Sequence, residues 1–272
     1  MGLKDYSVKK IELFNESKGV KKRFLIEFFN ESRKLAEIKS YLLRNIDSII
    51  EENWGKFTKD FIIKHILRAN RLQIVRENDK IVGLAAVSKL MVKGKHLLYL
   101  EFTVVNEDYQ GYHLSTVLNA EIIVNEFFKS FIARGFKRLN VVTLTRNVRV
   151  LAALKKFSSY IYPDPQEFKM EGKLSPATDE TWMFSKEILK KSWKPDRQLL
   201  REGNVLVGSY ELMPWLILPK MQRHYDRALL EMGEKYLGYS EREDKEFIVH
   251  TKFSLYSILR YLFWSRYLVK KK

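Results

Sequence analysis

No cysteine occurs among the 272 residues. Disulfides, thiolate metal sites and thiol nucleophiles are therefore excluded. Histidine is scarce as well. His65, His96, His113, His224 and His250 are scattered, and no HExxH pair occurs, so no metal site is expected. Proline is sparse and no low-complexity tract is present, whereas 46% of the residues are apolar. Such a chain can bury a folded core. The N-terminus lacks an apolar signal core, and Tyr6 stands where a myristoylation signal carries Ser or Thr. A cytoplasmic protein is the expectation.

Positive charge, by contrast, is abundant. Lys and Arg number 49 against 33 Asp and Glu, a formal net charge of +16. The excess is spread along the chain, with only the short Lys270–Lys272 run concentrated. A diffuse excess suits anionic small molecules, RNA or acidic lipid, and equally a plain soluble surface. Nucleic acid is indicated by charge alone, because no recognition motif interleaves aromatic and basic residues.

The hydrophobic pattern gives an order of elements. Ser7–Phe14 partly alternates and predicts a strand, ended by Glu16–Gly19. The segment 20–35 places Phe24, Leu25, Phe28 and Phe29 at helical spacing. Helical pattern continues to Ile50 and again over Phe57–Ala69. Leu72–Arg76 and Ile81–Leu90 flank a turn at Asn78-Asp79 and predict a hairpin. Lys95–Val105 predicts a further strand, Leu114–Ala133 a helix, Arg138–Leu144 a strand and 147–157 a short helix. A meander followed by a helix crossover implies a mixed, mostly antiparallel sheet flanked by helices, an α/β (α+β) fold. Residues 163–180 hold Pro and Gly among charges and suggest an ordered linker or loop. "NVLVGSYELMPWLIL" suggests strands or a buried irregular segment. A helix with Pro219 at its start and Gly238 after its end, then a final helix from Phe253, complete the chain.

The stretch Asn106–Ile123 joins a strand to a long helix through Gln110-Gly111. Orphan amides and the positive end of the helix dipole make a helix start a phosphate site, and a glycine lets the backbone approach closely. An ordinary strand-to-helix turn has the same composition. The surrounding order of motifs resembles the GNAT (GCN5-related) N-acetyltransferase superfamily over about residues 6–165. In that family a strand ends in a pattern like Val-x-Pro-x-x-Arg/Gln-Gly before the helix that holds the pyrophosphate of acetyl-CoA. Here "VNEDYQGYHLSTVL" sets Val105, Gln110 and Gly111 in step. The family's later helix opened by Asn is matched by Asn147 in "TRNVRVLAALKKF", and "YIYP" looks like the end of a looser branch of the superfamily.

The resemblance implies an acyl-CoA-dependent N-acyltransferase, with acetyl-CoA or another acyl-CoA as co-substrate and a small-molecule or peptide amine as acceptor. It places the cofactor on the segment Gln110, Gly111, Tyr112, His113, Leu114 and Ser115, on the backbone of Thr103, Val104 and Val105, and near Asn147. Two positions depart from the pattern. His113 and Ser115 stand where the family has small residues; the His113 ring either lies outward or occludes the loop. Seven residues after Asn147, where many members carry a proton-donating Tyr, this chain has Leu154, leaving Tyr160 as the substitute acid. Glu101, inside an apolar strand, is either the base for the acceptor amine or half of a structural ion pair.

Three functional classes follow. They are the acyltransferase, a catalytically silent GNAT-like fold that binds a ligand or acts as a scaffold, and a membrane-peripheral protein. The last rests on residues 253–272, which alternatively form an amphipathic helix packed on its own domain. Residues 1–165 are expected to form the GNAT-like core. Residues 166–272 form a C-terminal extension serving as lid, subdomain or oligomer contact, and packed rather than free.

Overall fold

A computed structural model describes residues 6–15, 17–30, 33–45, 59–135, 138–191, 197–208, 227–239 and 244–270. The sequence pattern over 46–58 and the whole of 209–226, with Pro219 and most of "NVLVGSYELMPWLIL", lie outside them. The elements are α/β (α+β), with mostly antiparallel strands flanked by helices. The chain divides into two compact units. The first comprises Met1–Leu90, Leu98–Gly135 and Ile258–Lys272, the second Met91–Leu97 and Phe136–Ser257.

The first unit holds β1 (Tyr6–Asn15), β2 (Val20–Phe29), β3 (Arg71–Glu77) and most of β4 (Lys80–Val92) and β5 (Lys95–Val105), neighbours in that order, with β1 to β4 pairing antiparallel. Segment 20–29 is therefore a strand, not the helix its spacing predicts. It pairs along its whole length with β1, Tyr6 opposite Phe29 and Asn15 opposite Val20, and over Leu25–Phe29 with β3. Two ladders satisfy its backbone, and alternate residues Phe24 and Ile26 enter the core. Tertiary pairing has overridden a coincidental helical spacing.

Two apolar clusters cover the two faces of this sheet. Leu35 and Leu42 of α1 (Arg33–Arg44) and Ile62 and Ile66 of α2 (Lys59–Arg68) pack on Leu72, Ile74, Leu84 and Val104. Leu114, Val117 and Leu118 of α3 (Leu114–Arg134) pack on Val75, Val82, Ala85 and Ile26. Ile74 and Val75 face opposite ways, as alternation requires. A register shift between Val75 and Arg76 lets Val82 join Ala85 on the α3 face.

The second unit is built around β10 (Lys245–Phe253). It pairs antiparallel with β6 (Leu139–Thr145), with β7 (Tyr160–Tyr162) and with β9 (Val205–Val207), which carries β8 (Leu199–Leu200). Its core joins Val148 and Leu151 of α4 (Val148–Phe157), Phe168 of α5 (Pro165–Glu171), and Met232, Tyr236 and Leu237 of α7 (Arg227–Leu237) to Phe247 and Val249. Within 163–180, where the sequence suggested a linker or loop, α5 is a helix and α6 (Asp179–Lys191) begins, while 172–178 between them is non-helical. Asp164 accepts from Gln166 N–H, Pro165 occupies the first turn and Gly172 closes α5 at φ +67°. Proline inside the start and glycine past the end suit a seven-residue helix. The last helix, α8 (Leu255–Lys270), is present as expected. Among the described residues no helix is long and apolar enough to cross a membrane.

His250 is buried beneath Phe184 and Tyr160. Burial pushes its imidazole down to about 3. Burial raises the nearby Glu180, but hydrogen bonds from Lys252 and Lys95 outweigh it and bring the carboxyl to about 2. Below pH 6.5 the unfolded imidazole binds a proton that the folded one refuses, so stability falls as pH drops from there toward 3. The Glu180 contribution begins to fade below 4.5 and is lost through about 2. The melting temperature should therefore decline between pH 6.5 and 4.5, and His250→Gln should flatten that interval. An unchanged slope in the variant would assign the acid sensitivity elsewhere.

Candidate functional site

Strand β5 ends where Asn106 N–H bonds Val82 O at 3.0 Å. The Asn106 side chain then caps a 3-10 turn, Glu107–Tyr109, by accepting from Asp108 N–H. Gln110 is extended, Gly111 has φ +87°, and His113 enters α3 at φ +59° without capping it by its side chain. Val117 N–H bonds His113 O at 3.0 Å, so the amides of Leu114, Ser115 and Thr116 have no partner within the helix.

Side chains alternate across this loop. Tyr112 and Leu114 are buried, whereas Gly111, His113 and Ser115 are exposed. Tyr112 and Tyr109 both pack edge-on against Phe24. The Tyr109 hydroxyl donates to Glu77, which also pairs with Lys22, and that hydrogen bond pushes the phenol up to about 12. Lys18 Nζ donates to Asp108 O. Of the sequence-predicted loop residues, Tyr112 and Leu114 can therefore offer a ligand backbone only.

Gly111 answers a second demand that the sequence did not reveal. The buried Asn15, at the end of β1, donates from Nδ2 to Gln110 O at 2.9 Å and accepts on Oδ1 from Ser17 and Lys18. A Cβ on Gly111 would stand 2.8 Å from Asn15 Nδ2. The glycine is required by its left-handed φ and by the close approach of this amide.

His113 occupies the left-handed region, where glycine is at ease, and its ring meets the edge of Trp264 on α8 at 5.9 Å between centroids. The ring is thus turned toward α8. Relief of the backbone in His113→Gly is worth about 1–2 kcal/mol, and the lost ring contact about 0.5–1.5 kcal/mol. The variant should melt close to the parent.

Glu101 is fully buried at the side chain, and its two oxygens are both engaged. Ser88 Oγ donates to Oε1 at 2.5 Å, and the Nδ1–H of His65, on α2, donates to Oε2 at 2.5 Å. Arg68 Nη2 stands 3.9 Å from Oε1. Sequence reasoning missed His65 and Ser88. The available signal was a histidine one residue before Ile66 on the apolar side of α2, one of the few polar groups there able to meet a buried acid. Phe102 also meets the His65 ring edge-on, at 5.9 Å. Glu101 and Phe102 thus converge on one imidazole, which departs from the strict alternation expected of β5. Thr103 Oγ1 donates to Asn119 Oδ1 of α3 at 2.8 Å, Val104 lies in the α1/α2 core, and Val105 packs with the α3 cluster.

Asn147 and Tyr160 belong to the second unit. Asn147 caps α4, its carboxamide oxygen accepting from Arg149 N–H at 3.0 Å. Tyr160 Oη is 3.0 Å from Thr181 Oγ1, which is 2.9 Å from His250 Nδ1, and Lys252 Nζ lies 5.1 Å from the centre of the Tyr160 ring. Leu154 packs against the second core. Glu101 and the 110–115 loop share the first unit. Among the described residues no cluster of His, Asp and Glu is arranged to hold a metal ion.

No family model matches the chain, and no curated protein matches it. Solved structures do. A GCN5-related glucosamine N-acetyltransferase region of a fungal multi-domain beta-N-acetylglucosaminidase aligns at 17% identity and TM-score 0.29, over 68% of this chain and 18% of that one. The chain thus spans less than a fifth of that protein. A ribosomal-protein alanine N-acetyltransferase from Escherichia coli aligns at 16% identity and TM-score 0.34, over 50% of this chain and 80% of that one. A GNAT family acetyltransferase from Brucella melitensis, solved with acetyl-CoA, aligns at 14% identity and TM-score 0.26, over 43% and 74%. The chain is similar to GCN5-related (GNAT) acetyltransferases of known structure, at low identity and over part of its length.

Proposed function

We propose that the chain is an acyl-CoA-dependent N-acyltransferase acting on an amine acceptor. The observation that carries it is the open start of α3. Gly111, His113 and Ser115 are exposed there, two of the three have positive φ, and the first amides of a 21-residue helix have no partner within it. Such a helix start fits a pyrophosphate, since the orphan N–H groups and the dipole favour an anion. The hydroxyl of Ser115 adds a donor at the same edge.

An acyl-CoA supplies an activated thioester. The residues of the first unit would bind and orient it and accept the amine's proton. Gly111–Ser115 holds the diphosphate, and the backbone of Thr103–Val105 guides the pantetheine arm. Glu101 takes the proton released by the amine, with His65 as its hydrogen-bonded partner. Most of the rate would come from positioning.

Calorimetry with CoA tests this. The parent should bind, and Gly111→Pro should abolish binding, because it removes an N–H and fixes φ in a range the loop does not use. His113→Gly should bind equally or more tightly. No heat from either the parent or His113→Gly would sink the acyl-transfer reading. Binding without turnover across a panel of amines would leave a ligand-binding protein.

A further inference from the structure

Helix α8 is apolar on two opposite sides. Its inner side is buried in the first unit through Ile258 and Tyr261, with Trp264 against His113. On the opposite side Tyr256 is 74% exposed, Leu259 43% and Phe263 69%. These positions fall at i, i+3 and i+7, one stripe of the helix. Ser257 is buried on the inner side as well. A helix with aromatic and aliphatic side chains in water on its outer face exposes surface that ordinarily meets something.

Charge selects what it meets. From Phe247 to Lys272 the chain holds no acidic residue. Arg260 is exposed beside the stripe, Arg266 follows in the sequence, and Lys270, Lys271 and Lys272 follow that. Aromatic and aliphatic groups on one face with cations alongside are the composition of helices that lie in the headgroup layer of an anionic bilayer. The 16 residues of α8 are too few to span a bilayer, so the contact would be in the plane of the surface. A protein partner would equally cover the stripe, but a segment from Phe247 to Lys272 with cations and no acid favours an anionic surface. We propose that the outer face of α8, centred on Leu259 and Phe263, docks on anionic lipid headgroups. This stands apart from the acyl-transfer proposal and does not depend on it.

Vesicle flotation of the full chain tests it. The chain should float with phosphatidylcholine vesicles containing phosphatidylglycerol, not with phosphatidylcholine alone, and should be released by salt. The double variant Leu259→Glu/Phe263→Glu should partition at least about tenfold more weakly, from the lost apolar burial and the added negative charge. Both side chains face water, so its melting curve should match the parent's. If that variant melts lower, Tyr256→Glu, at the most exposed position, carries the same comparison. Three results would overturn the proposal. The parent could fail to float with anionic vesicles. The variants could float as well as the parent, which would place the contact on the general basic surface. Sedimentation could show the parent self-associating without lipid and the double variant monomeric, which would make the stripe a contact between copies.

Discussion

Glu101→Gln is expected to fold and to melt within a few degrees of the parent, yet to lose turnover by about 10²- to 10⁴-fold, the usual effect of removing one proton-transfer group. The amide is nearly isosteric, and it still offers partners to Ser88 Oγ and the His65 ring. Glu101→Leu is the opposing control. It leaves a buried imidazole and a buried hydroxyl without the carboxylate that engages them, and breaking such a buried pair costs about 3–5 kcal/mol. The two substitutions separate the roles that a buried acid can play. If Glu101 only ties α2 to the sheet, Gln should preserve turnover and Leu should unfold the protein. If it also takes the amine's proton, Gln should lower kcat and shift its pH profile, with affinity for CoA unchanged. The decisive measurement pairs a thermal melt with kcat over pH for each variant.

Gly111→Val is the second large effect expected, and it is predicted before any ligand is considered. A branched side chain at φ +87° costs about 1–2 kcal/mol, and its Cβ would press on Asn15 Nδ2 at 2.8 Å. Overpacking of that kind adds about 1–3 kcal/mol. A total near 3 kcal/mol lowers the melting temperature by roughly 6–12 °C in a chain of this size. Asn15→Ala should remove the contact part and leave the backbone part, so the two substitutions should be non-additive in the rescuing direction. Additive losses would show that the glycine serves its dihedral angle alone. CoA calorimetry on Asn15→Ala, in which Gly111 is intact, then shows whether the clamp also sets the shape of the binding loop.

The elements that position this loop were legible because they are local. Alternation in β3, β4 and β5, the Asn78-Asp79 turn and the long apolar face of α3 are each readable within one window. β2 was not, because Phe24, Leu25, Phe28 and Phe29 fit a helical stripe as well as a strand. The choice is made by β1 and β3 on its two sides. α5 carried its own signature in Asp164-Pro165 and Gly172, which a composition-led reading of the segment passed over. At the candidate site the positions of Gly111 and Glu101 could be found from the sequence, but not what surrounds them. Asn15 reaches Gln110 across 95 residues and His65 reaches Glu101 across 36, and nothing in a local pattern encodes either meeting. The alternation that buries Tyr112 and Leu114 while exposing Gly111, His113 and Ser115 arises from two positive-φ residues, which composition does not announce at a histidine.

His113 rests on Trp264, a residue synthesised long after it. A nascent chain that has emitted the loop and all of α3 still lacks the helix that lies beside the loop. At elongation rates of roughly 5–20 residues per second that interval lasts on the order of ten seconds. Over that time α8 has not been made, and the surface that will receive Ile258 and Tyr261 stands open to water or to a chaperone. The first unit is thus completed by a segment made after the whole of the second. Ribosome-bound intermediates stalled before and after residue 264 should differ in protease resistance at α3, the element made first of the two.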